Sequence, residues 1–180
     1  MKTKIIDCTK TIDDEALQQC GKQLRQGEIG IFPTETVYGI GANALDEKAA
    51  THIFEAKGRA NDNPLIVHVA DFDILEQLVE PPSEMEQKLI DAFFPGPFTL
   101  ILKRKETVPN VVTAGLDTVG IRMPENEIAR KLITYANCPI CAPSANISSR
   151  PSGTKLEDIQ EEFDGKVAFM IDGGMTTIGV

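Results

Sequence analysis

Three polar stretches of this sequence combine residue types that bind anions or take part in catalysis. The first, 33–41, carries hydroxyl groups on Thr34, Thr36 and Tyr38 together with two glycines. Glycine lets a ligand approach the backbone closely, and a hydroxyl both donates and accepts hydrogen bonds. The same composition is typical of a long turn whose hydroxyls satisfy its own backbone, so both interpretations stay open for this stretch.

The second stretch, 57–64, places Lys57 and Arg59 on either side of Gly58 at the predicted end of a helix. Arginine clamps a phosphate through two parallel hydrogen bonds and lysine adds a point charge, so the pair suits a polyphosphate. Alternatively, both side chains satisfy the last carbonyl groups of the helix and its dipole.

The third stretch, 142–153, gathers small residues, hydroxyls, the amide of Asn146 and the guanidinium of Arg150 between two prolines. This composition indicates phosphate or carboxylate binding, and a merely polar loop is the alternative. The sequence contains neither GxxxxGK[ST] nor GxGxxG, which excludes the two commonest nucleotide-binding loops.

Two further candidates lie in apolar segments. His68 stands in a predicted strand, where a lone histidine is more often structural than catalytic. Arg122 ends another apolar strand and needs an anion or an internal partner, because an unpaired buried charge is costly. With only two histidines, the chain shows no pattern of a Ser-His-Asp triad.

The four cysteines do not predict a disulfide scaffold or a zinc site. Cys138 and Cys141 have CxxC spacing, but Cys8 and Cys20 do not complete a second such pair. The CxxC segment is apolar and does not open a helix, so buried thiols are favoured over redox chemistry.

Composition narrows the class of protein. The 180 residues include 18 Lys and Arg against 27 Asp and Glu, a net charge of −9, which argues against wrapping nucleic acid by bulk charge. The length and the 42% hydrophobic content are typical of one globular domain. Neither a membrane span nor a signal peptide is apparent, and we expect a cytoplasmic protein.

Predicted strands and helices alternate along the chain. Capping residues and apolar spacing predict helices over 12–27, 46–57, 83–93 and 125–136, with another starting at 154–157. Apolar runs predict strands at 28–32, 65–70, 98–103, 118–122, 139–142 and 167–171. This alternation indicates a layered α/β domain, although it does not give the strand order.

Several motifs in a fixed order resemble one family. They are 33–39 (PTETVYG), 57–59 (KGR) with 63–65 (NPL), 94–99 (FPGPFT), 120–124 (GIRMP) and 142–146 (APSAN). The chain resembles the YrdC/Sua5 family, the threonylcarbamoyl-AMP synthases, from about residue 10 onward. The resemblance implies an α/β fold in which a twisted mixed sheet, flanked by helices, curls around a positively lined cavity. It also implies that 1–180 is the YrdC-like catalytic domain, without the family's last strand and without the C-terminal domain of longer members.

The resemblance implies an enzyme, a nucleotidyltransferase that condenses L-threonine, bicarbonate or CO₂, and ATP into threonylcarbamoyl-AMP and pyrophosphate. A separate tRNA threonylcarbamoyl-transferase complex would then modify adenosine 37 of tRNA, and weak tRNA binding is a further expectation. Mg²⁺ would arrive with ATP, since no carboxylate cluster indicates a dedicated metal site. No membrane partner is expected.

The family's site residues carry over onto matching positions. Lys57 and Arg59 would be catalytic, stabilising the leaving pyrophosphate. The pocket for threonine would comprise Thr34, His68, Arg122 and Ala142. The nucleotide would contact Lys57, Arg59, Asn61, Thr118, Ser144, Asn146 and Ser152.

Two rival functions stay open at this point. One is a carbamoyl-adenylate-forming domain like that of hydrogenase-maturation proteins, which is usually embedded in a much longer chain. The other is a non-catalytic module that binds double-stranded RNA or tRNA. The acidic charge and the lack of a basic stripe argue against this second rival.

Overall fold

The computed structural model describes residues 2–147 and 149–178, so Ser148 of the third polar stretch lies outside the described residues. This part of the chain contains eight strands, seven α-helices and one 3₁₀ helix, Leu156–Asp158. The strands are β1 Lys4–Asp7, β2 Gly30–Pro33, β3 Tyr38–Asn43, β4 Val67–His68, β5 Thr99–Lys103, β6 Thr118–Arg122, β7 Ile140–Cys141 and β8 Phe169–Asp172. The helices are α1 Asp14–Arg25, α2 Glu47–Lys57, α3 Phe72–Leu78, α4 Glu84–Phe93, α5 Asn110–Thr113, α6 Glu127–Ala136 and α7 Gln160–Phe163.

The strands form one mixed sheet in the order β1-β8-β2-β3-β7-β4-β6-β5. Strands β1, β8 and β2 are parallel, and β2 continues into an antiparallel hairpin with β3. Strand β7 runs antiparallel to both of its neighbours, β3 and β4, whereas β4 and β6 are parallel. Strand β5 closes the far edge antiparallel to β6. The predicted mixed α/β sheet flanked by helices is confirmed.

Alternation along the strands divides the core into two layers. Ile31 packs into one apolar cluster with helices α2, α3, α4 and α5, and the next residue, Phe32, packs into a second cluster with α1 and α6. Successive side chains of a strand point to opposite faces, so the sheet separates two helical layers. Cys141 and Ile140 of β7 divide between the same two layers.

Capping side chains fix where several helices begin. Asp46 accepts a hydrogen bond from Ala49 N at 3.1 Å and starts α2, which ends at the left-handed Gly58. Ser83 and Glu86 form the predicted capping box of α4. No helix in the described ranges has both the length and the apolar composition that crossing a membrane requires.

Several predicted boundaries were wrong. The stretch 33–41 is not a continuous loop, because β2 runs to Pro33 and β3 begins at Tyr38, leaving a short turn between them. The predicted strand 65–70 is reduced to Val67–His68. The capping box predicted at 154–157 is replaced by the 3₁₀ helix, where Lys155 N donates to Asp158 Oδ2 at 3.2 Å. Strand β1 and helices α3 and α5 escaped prediction.

Candidate functional site

The turn between β2 and β3 is organised by the Thr34 hydroxyl. Thr34 Oγ1 donates to the Val37 carbonyl oxygen at 2.6 Å and accepts from the backbone N–H groups of Thr36 and Val37 at 3.3 Å. Its side chain is buried, and Thr36 Oγ1 lies 3.1 Å from Thr34 Oγ1. The hydroxyl proposed for threonine binding therefore serves the turn first, as the structural alternative anticipated.

Arg122 has an internal carboxylate partner that the sequence did not reveal. Arg122 Nη2 donates to Glu35 Oε1 at 2.6 Å, and Arg122 Nη1 donates to Thr36 Oγ1 at 3.2 Å. The other carboxylate oxygen of Glu35 accepts from the backbone N–H of Glu125 at 2.6 Å. The anion that an apolar strand requires for its arginine is thus Glu35 within the chain itself.

The ion pair between Glu35 and Arg122 joins distant parts of the sheet. Strands β3, β7 and β4 lie between β2 and β6 in the strand order. In a flat sheet, four spacings of about 4.8 Å would put β2 and β6 roughly 19 Å apart. A direct contact of 2.6 Å requires that the sheet curve or that the turn after β2 and the two side chains reach across its face. The positively lined cavity implied by the resemblance stays a prediction.

His68 lies beside Arg122 in the sheet, since the two residues are register partners in β4 and β6. The imidazole is buried, and its Nδ1 lies 3.3 Å from the Ile66 carbonyl oxygen. Burial, helped by the charge of Arg122, lowers the pKa of His68 to about 3. The ring is therefore neutral at physiological pH and does not add positive charge to the site.

The loop after β7 pairs with the start of β3. Ser144 bridges to Gly39, Ile40 N donates to the Pro143 carbonyl at 3.0 Å, and Ala145 N donates to the Tyr38 carbonyl at 2.7 Å. Ala142 N donates to the Ile66 carbonyl oxygen at 2.9 Å. Any backbone contribution of Ala142 to a ligand would therefore come from its carbonyl oxygen.

Lys57 connects α2 to this same loop. Its side chain is 1% exposed, and Nζ donates to the Ser144 carbonyl oxygen at 2.7 Å. Burial, and secondarily the nearby Arg59 charge, lowers the pKa of Lys57 to about 8. One of its three N–H bonds is committed to Ser144, which leaves two for an anion that reaches it.

Arg59 follows the left-handed Gly58 and turns back onto α2. The Arg59 N–H donates to the Phe54 carbonyl at 3.1 Å, and its guanidinium carbon lies 5.3 Å from the centroid of the Phe54 ring. Its Nε is buried without a hydrogen-bond partner among the described residues. The charges of Lys57 and Arg59 lie close enough to interact, and Lys57 also contacts Ser144.

Part of the sheet face beside Arg122 is exposed. Ile66 and Ile101 are 36% and 59% exposed, and they flank Gly120 on the face that also carries Arg122. A Cβ at Gly120 would lie 3.3 Å from Thr99 Cγ2, so a larger residue would project from the sheet face at this point. Thr118 shares the face about 13 Å along β6 from Arg122. The face is long enough to hold an extended ligand.

The remaining predicted site residues make no described contact with Arg122 or Lys57. Asn146 Oδ1 accepts from Ser144 Oγ at 2.6 Å, and Asn146 Nδ2 donates to the Arg150 carbonyl at 2.9 Å, so this amide organises the loop. Asn61 and Ser152 are exposed on their loops. Thr118 pairs with Lys103 at the opposite end of β6 from Arg122.

All four cysteines are buried as thiols, which agrees with the prediction against a disulfide scaffold. Burial raises the pKa of Cys138 to about 11 and that of Cys141 to about 12. A thiol that stays protonated is a poor nucleophile and a poor metal ligand.

The described residues contain no group of three or more His, Cys, Asp or Glu side chains arranged to hold a metal. Glu35, the buried carboxylate nearest the candidate site, already accepts from Arg122 and from Glu125 N. These residues do not fit a resident Mg²⁺, so the ion would belong to the MgATP substrate.

Comparisons with known proteins match nearly the whole chain. The family model Sua5_yciO_yrdC, described as "Telomere recombination", matches residues 22–180. A protein of Pyrococcus abyssi named threonylcarbamoyl-AMP synthase is 52% identical over 178 residues, covering 99% of this chain and 52% of its own length. One of the same name from Bacillus subtilis is 49% identical over 185 residues, covering 100% of this chain and 54% of its own length.

The fold matches as well. The crystal structure of P. abyssi Sua5 complexed with L-threonine superposes with a TM-score of 0.96 at 52% identity, covering 99% of this chain and 52% of that one. The chain spans about half the length of the curated relatives that it matches. The ordered motifs, the mixed sheet and these matches agree that the chain belongs to the Sua5/YciO/YrdC family.

Proposed function

We propose that this chain is the catalytic domain of an L-threonylcarbamoyladenylate synthase, which converts L-threonine, bicarbonate or CO₂, and ATP to threonylcarbamoyl-AMP and pyrophosphate. The observation that carries the proposal is the 52% identity over 99% of the chain to a protein named threonylcarbamoyl-AMP synthase. The structure of P. abyssi Sua5 with L-threonine supports the choice of amino acid.

The geometry around Arg122 supports an amino-acid pocket. Arg122 provides a fixed guanidinium, which binds a carboxylate through charge-assisted hydrogen bonds. His68 lies beside Arg122 in the sheet and is neutral, and the carboxylate of Glu35, in the same turn as Thr34, is already paired with Arg122. A zwitterion whose carboxylate meets Arg122 fits these surroundings.

Lys57 and Arg59 supply the positive charge on the phosphate side. We assign them to the triphosphate, where they stabilise negative charge that develops on the leaving pyrophosphate. The exposed face runs about 13 Å from Arg122 to Thr118, and we assign the nucleotide to this face. Asn61, Ser144, Asn146 and Ser152 remain assigned to nucleotide contacts, and Ala142 to threonine.

The reaction requires two bonds to form. The threonine ammonium first loses one proton to solvent, and the free amine attacks the carbon of CO₂. The nitrogen then loses a second proton to solvent, which gives the carbamate. A carbamate oxygen then attacks the α-phosphorus, and the bond between that phosphorus and the oxygen leading to the β-phosphate breaks to release pyrophosphate. These two steps require that the reactants be positioned and that the developing negative charge be stabilised. They do not require a protein nucleophile.

The test measures pyrophosphate release by the full protein from MgATP and bicarbonate, with and without L-threonine. We expect release that depends on threonine and a product with the mass of threonylcarbamoyl-AMP. Release without threonine would contradict the proposal, and a simple carbamoyl-adenylate formed when ammonium is supplied in place of threonine would favour the carbamoyl-adenylate rival. Inactivity combined with salt-sensitive RNA binding would favour the RNA-binding rival.

The phosphate assignment is tested by the double variant Lys57→Ala/Arg59→Ala, which we expect to release pyrophosphate at least a hundredfold more slowly while retaining the fold. A matched control is Lys22→Ala/Arg25→Ala, which removes an exposed lysine and arginine from the last turn of α1. Turnover that is equal in both double variants would remove Lys57 and Arg59 from the phosphate site.

We further propose that the product passes to a separate complex that transfers the threonylcarbamoyl group to tRNA in the cytoplasm. An acyl-adenylate reacts readily with water, so the class of reaction that must follow is acyl transfer to an amine acceptor. Weak tRNA binding by this chain stays a prediction.

A further inference from the structure

The carboxylate of Glu35 accepts two hydrogen bonds from different parts of the chain. Its two carboxylate oxygens accept from different donors, Arg122 Nη2 and the backbone N–H of Glu125, each at 2.6 Å. The turn after β2, the end of β6 and the approach to α6 therefore converge on this single side chain.

Burial makes the ion pair difficult to replace. The Glu35 and Arg122 side chains are 6% and 12% exposed, so water solvates neither charge well. If a substrate carboxylate displaced Glu35 from Arg122, the displaced carboxylate would stay buried with one charged partner lost. The arrangement with the lower cost keeps Glu35 in place and lets the substrate use the remaining N–H groups of Arg122.

The contacts also orient the guanidinium plane. Glu35 holds Nη2 and Thr36 Oγ1 holds Nη1, so the two terminal nitrogens are both fixed from the same turn. The Arg122 Nε is buried and has no hydrogen-bond partner within the described ranges. A planar guanidinium that is held at both terminal nitrogens has a fixed plane, and its Nε–H and remaining Nη N–H groups are the donors left for a ligand.

We propose that Glu35 is a positioning residue for the threonine pocket, fixing Arg122 so that its free N–H groups meet the carboxylate of the amino acid. This inference rests on the proposed function. In this assignment Glu35 acts through Arg122 and contacts neither the nucleotide nor the reacting atoms. Its loss should therefore weaken threonine binding without weakening ATP binding.

The test compares Glu35→Gln with the wild type in threonine-dependent pyrophosphate release by the full protein. Glutamine keeps the shape but offers one acceptor oxygen for two donors and removes the charge. We expect the KM for L-threonine to rise at least tenfold, while the KM for ATP and the kcat at saturating threonine stay within twofold to threefold. Glu35→Asp, which keeps the charge on a shorter side chain, should recover part of the affinity.

Glu125→Gln is the matched control. Glu125 is exposed, and its replacement by glutamine removes one negative charge close to the same ion pair. The backbone N–H of residue 125 still donates to Glu35 in this variant. We expect its KM for threonine to stay within twofold of the wild type. An equal rise in both variants would show a general electrostatic effect and overturn the positioning role.

A second arm separates positioning from folding. In an Arg122→Ala background, Glu35→Gln should cause less than a twofold further change in the affinity for L-threonine, measured by calorimetry without ATP. The inference would be overturned if Glu35→Gln weakened threonine binding in the Arg122→Ala background as much as it does in the wild type. It would also be overturned if Glu35→Gln alone raised the KM values for threonine and for ATP equally. If Glu35→Gln fails to fold, Glu35→Asp decides alone, and an unchanged KM for threonine overturns the proposal. A wild type that needs no threonine instead overturns the proposed function.

Discussion

Burial of the Lys57 ammonium lowers the stability of the fold, although the proposed function requires this residue. It is among the largest fully buried side chains, and its single described partner is the Ser144 carbonyl oxygen. A buried ammonium with one neutral acceptor is poorly compensated for lost hydration, which is why its pKa falls to about 8. Stability alone favours an apolar replacement, so a buried lysine here supports the proposed phosphate role.

We therefore predict that Lys57→Met raises the free energy of unfolding at pH 7 while abolishing pyrophosphate release. The lowered pKa corresponds to a cost of about 3 kcal/mol, and the lost hydrogen bond offsets about 1–2 kcal/mol of the gain. We expect a net increase of about 1–2 kcal/mol, measured by urea unfolding.

The pH dependence of this difference has a definite sign. Below pH 8, Lys57 is charged in both the folded and the unfolded chain, and the full cost of burying the charge applies. Between pH 8 and 10.5 the folded state loses the proton while the unfolded chain keeps it, so the wild type gains stability as the pH rises. The advantage of Lys57→Met should therefore shrink across this window. An advantage that stayed constant to pH 10.5 would contradict the assigned cause.

For individual residues, the sequence predicted which side chains are candidates for the site more readily than which residues they contact. The need of Arg122 for an anion follows from its apolar strand, and the Lys57–Arg59 pair follows from spacing. Glu35 was missed because its partner lies 87 residues away and a glutamate in a polar turn has no periodicity to mark it. Only the three-dimensional fold brings the two charges together.

Elements with local start and stop signals could be predicted from the sequence. Helix α2 has Asp46 and Gly58 at its ends, and α4 has the Ser83 capping box. Strand β3 was missed because its glycines have low strand propensity. Its Gly41 is required by packing instead, since a Cβ there would lie 2.7 Å from the Phe32 ring and 2.8 Å from Ile140 Cγ2. Such a reason is visible only in three dimensions.

Gly58 ends helix α2 directly before Arg59, a residue of the proposed phosphate site. It has a φ of 66°, which is left-handed, and a Cβ there would meet nothing within 4 Å. The cost of Gly58→Ala is therefore backbone strain alone, and we expect a loss of about 1 kcal/mol in the free energy of unfolding. Gly58→Asn should lose less, because asparagine tolerates this conformation better.

Urea unfolding of both Gly58 variants checks this order. Because Arg59 follows directly, pyrophosphate release should also fall in the order wild type, Asn, Ala. An alanine variant as stable as the wild type would show that the helix end relaxes away from the left-handed conformation.

At the scale of the whole molecule, the two ends of the described chain are paired. Strand β1 lies parallel to β8, with Lys4 opposite Phe169, and Thr3 Oγ1 donates to the Val167 carbonyl at 2.7 Å. Helices α1 and α6, more than 100 residues apart in sequence, pack together over the same face. The alternation of helices and strands predicted the fold class, but these long-range pairings left no local signal. For this reason the strand order could not be predicted.

The contact between α1 and α6 depends on Gly21. A Cβ at this position would lie 2.6 Å from the Ala136 N atom and 2.8 Å from the Tyr135 carbonyl carbon, both of which are backbone atoms. Backbone cannot move aside as a flexible side chain can. Helix propensity alone predicts that Gly21→Ala stabilises α1 by about 1 kcal/mol, whereas the packing predicts the opposite sign.

We expect the packing to dominate, so that Gly21→Ala lowers the free energy of unfolding by about 1–3 kcal/mol. The two helices must separate to admit the methyl group, and the cluster that they share with Phe32 and Ile140 loosens with them. Gln19→Ala, on the exposed side of α1, is the control and should change stability by less than about 0.5 kcal/mol. Urea unfolding of both variants decides the sign, and a stabilised Gly21→Ala would show that the helices approach less closely than described.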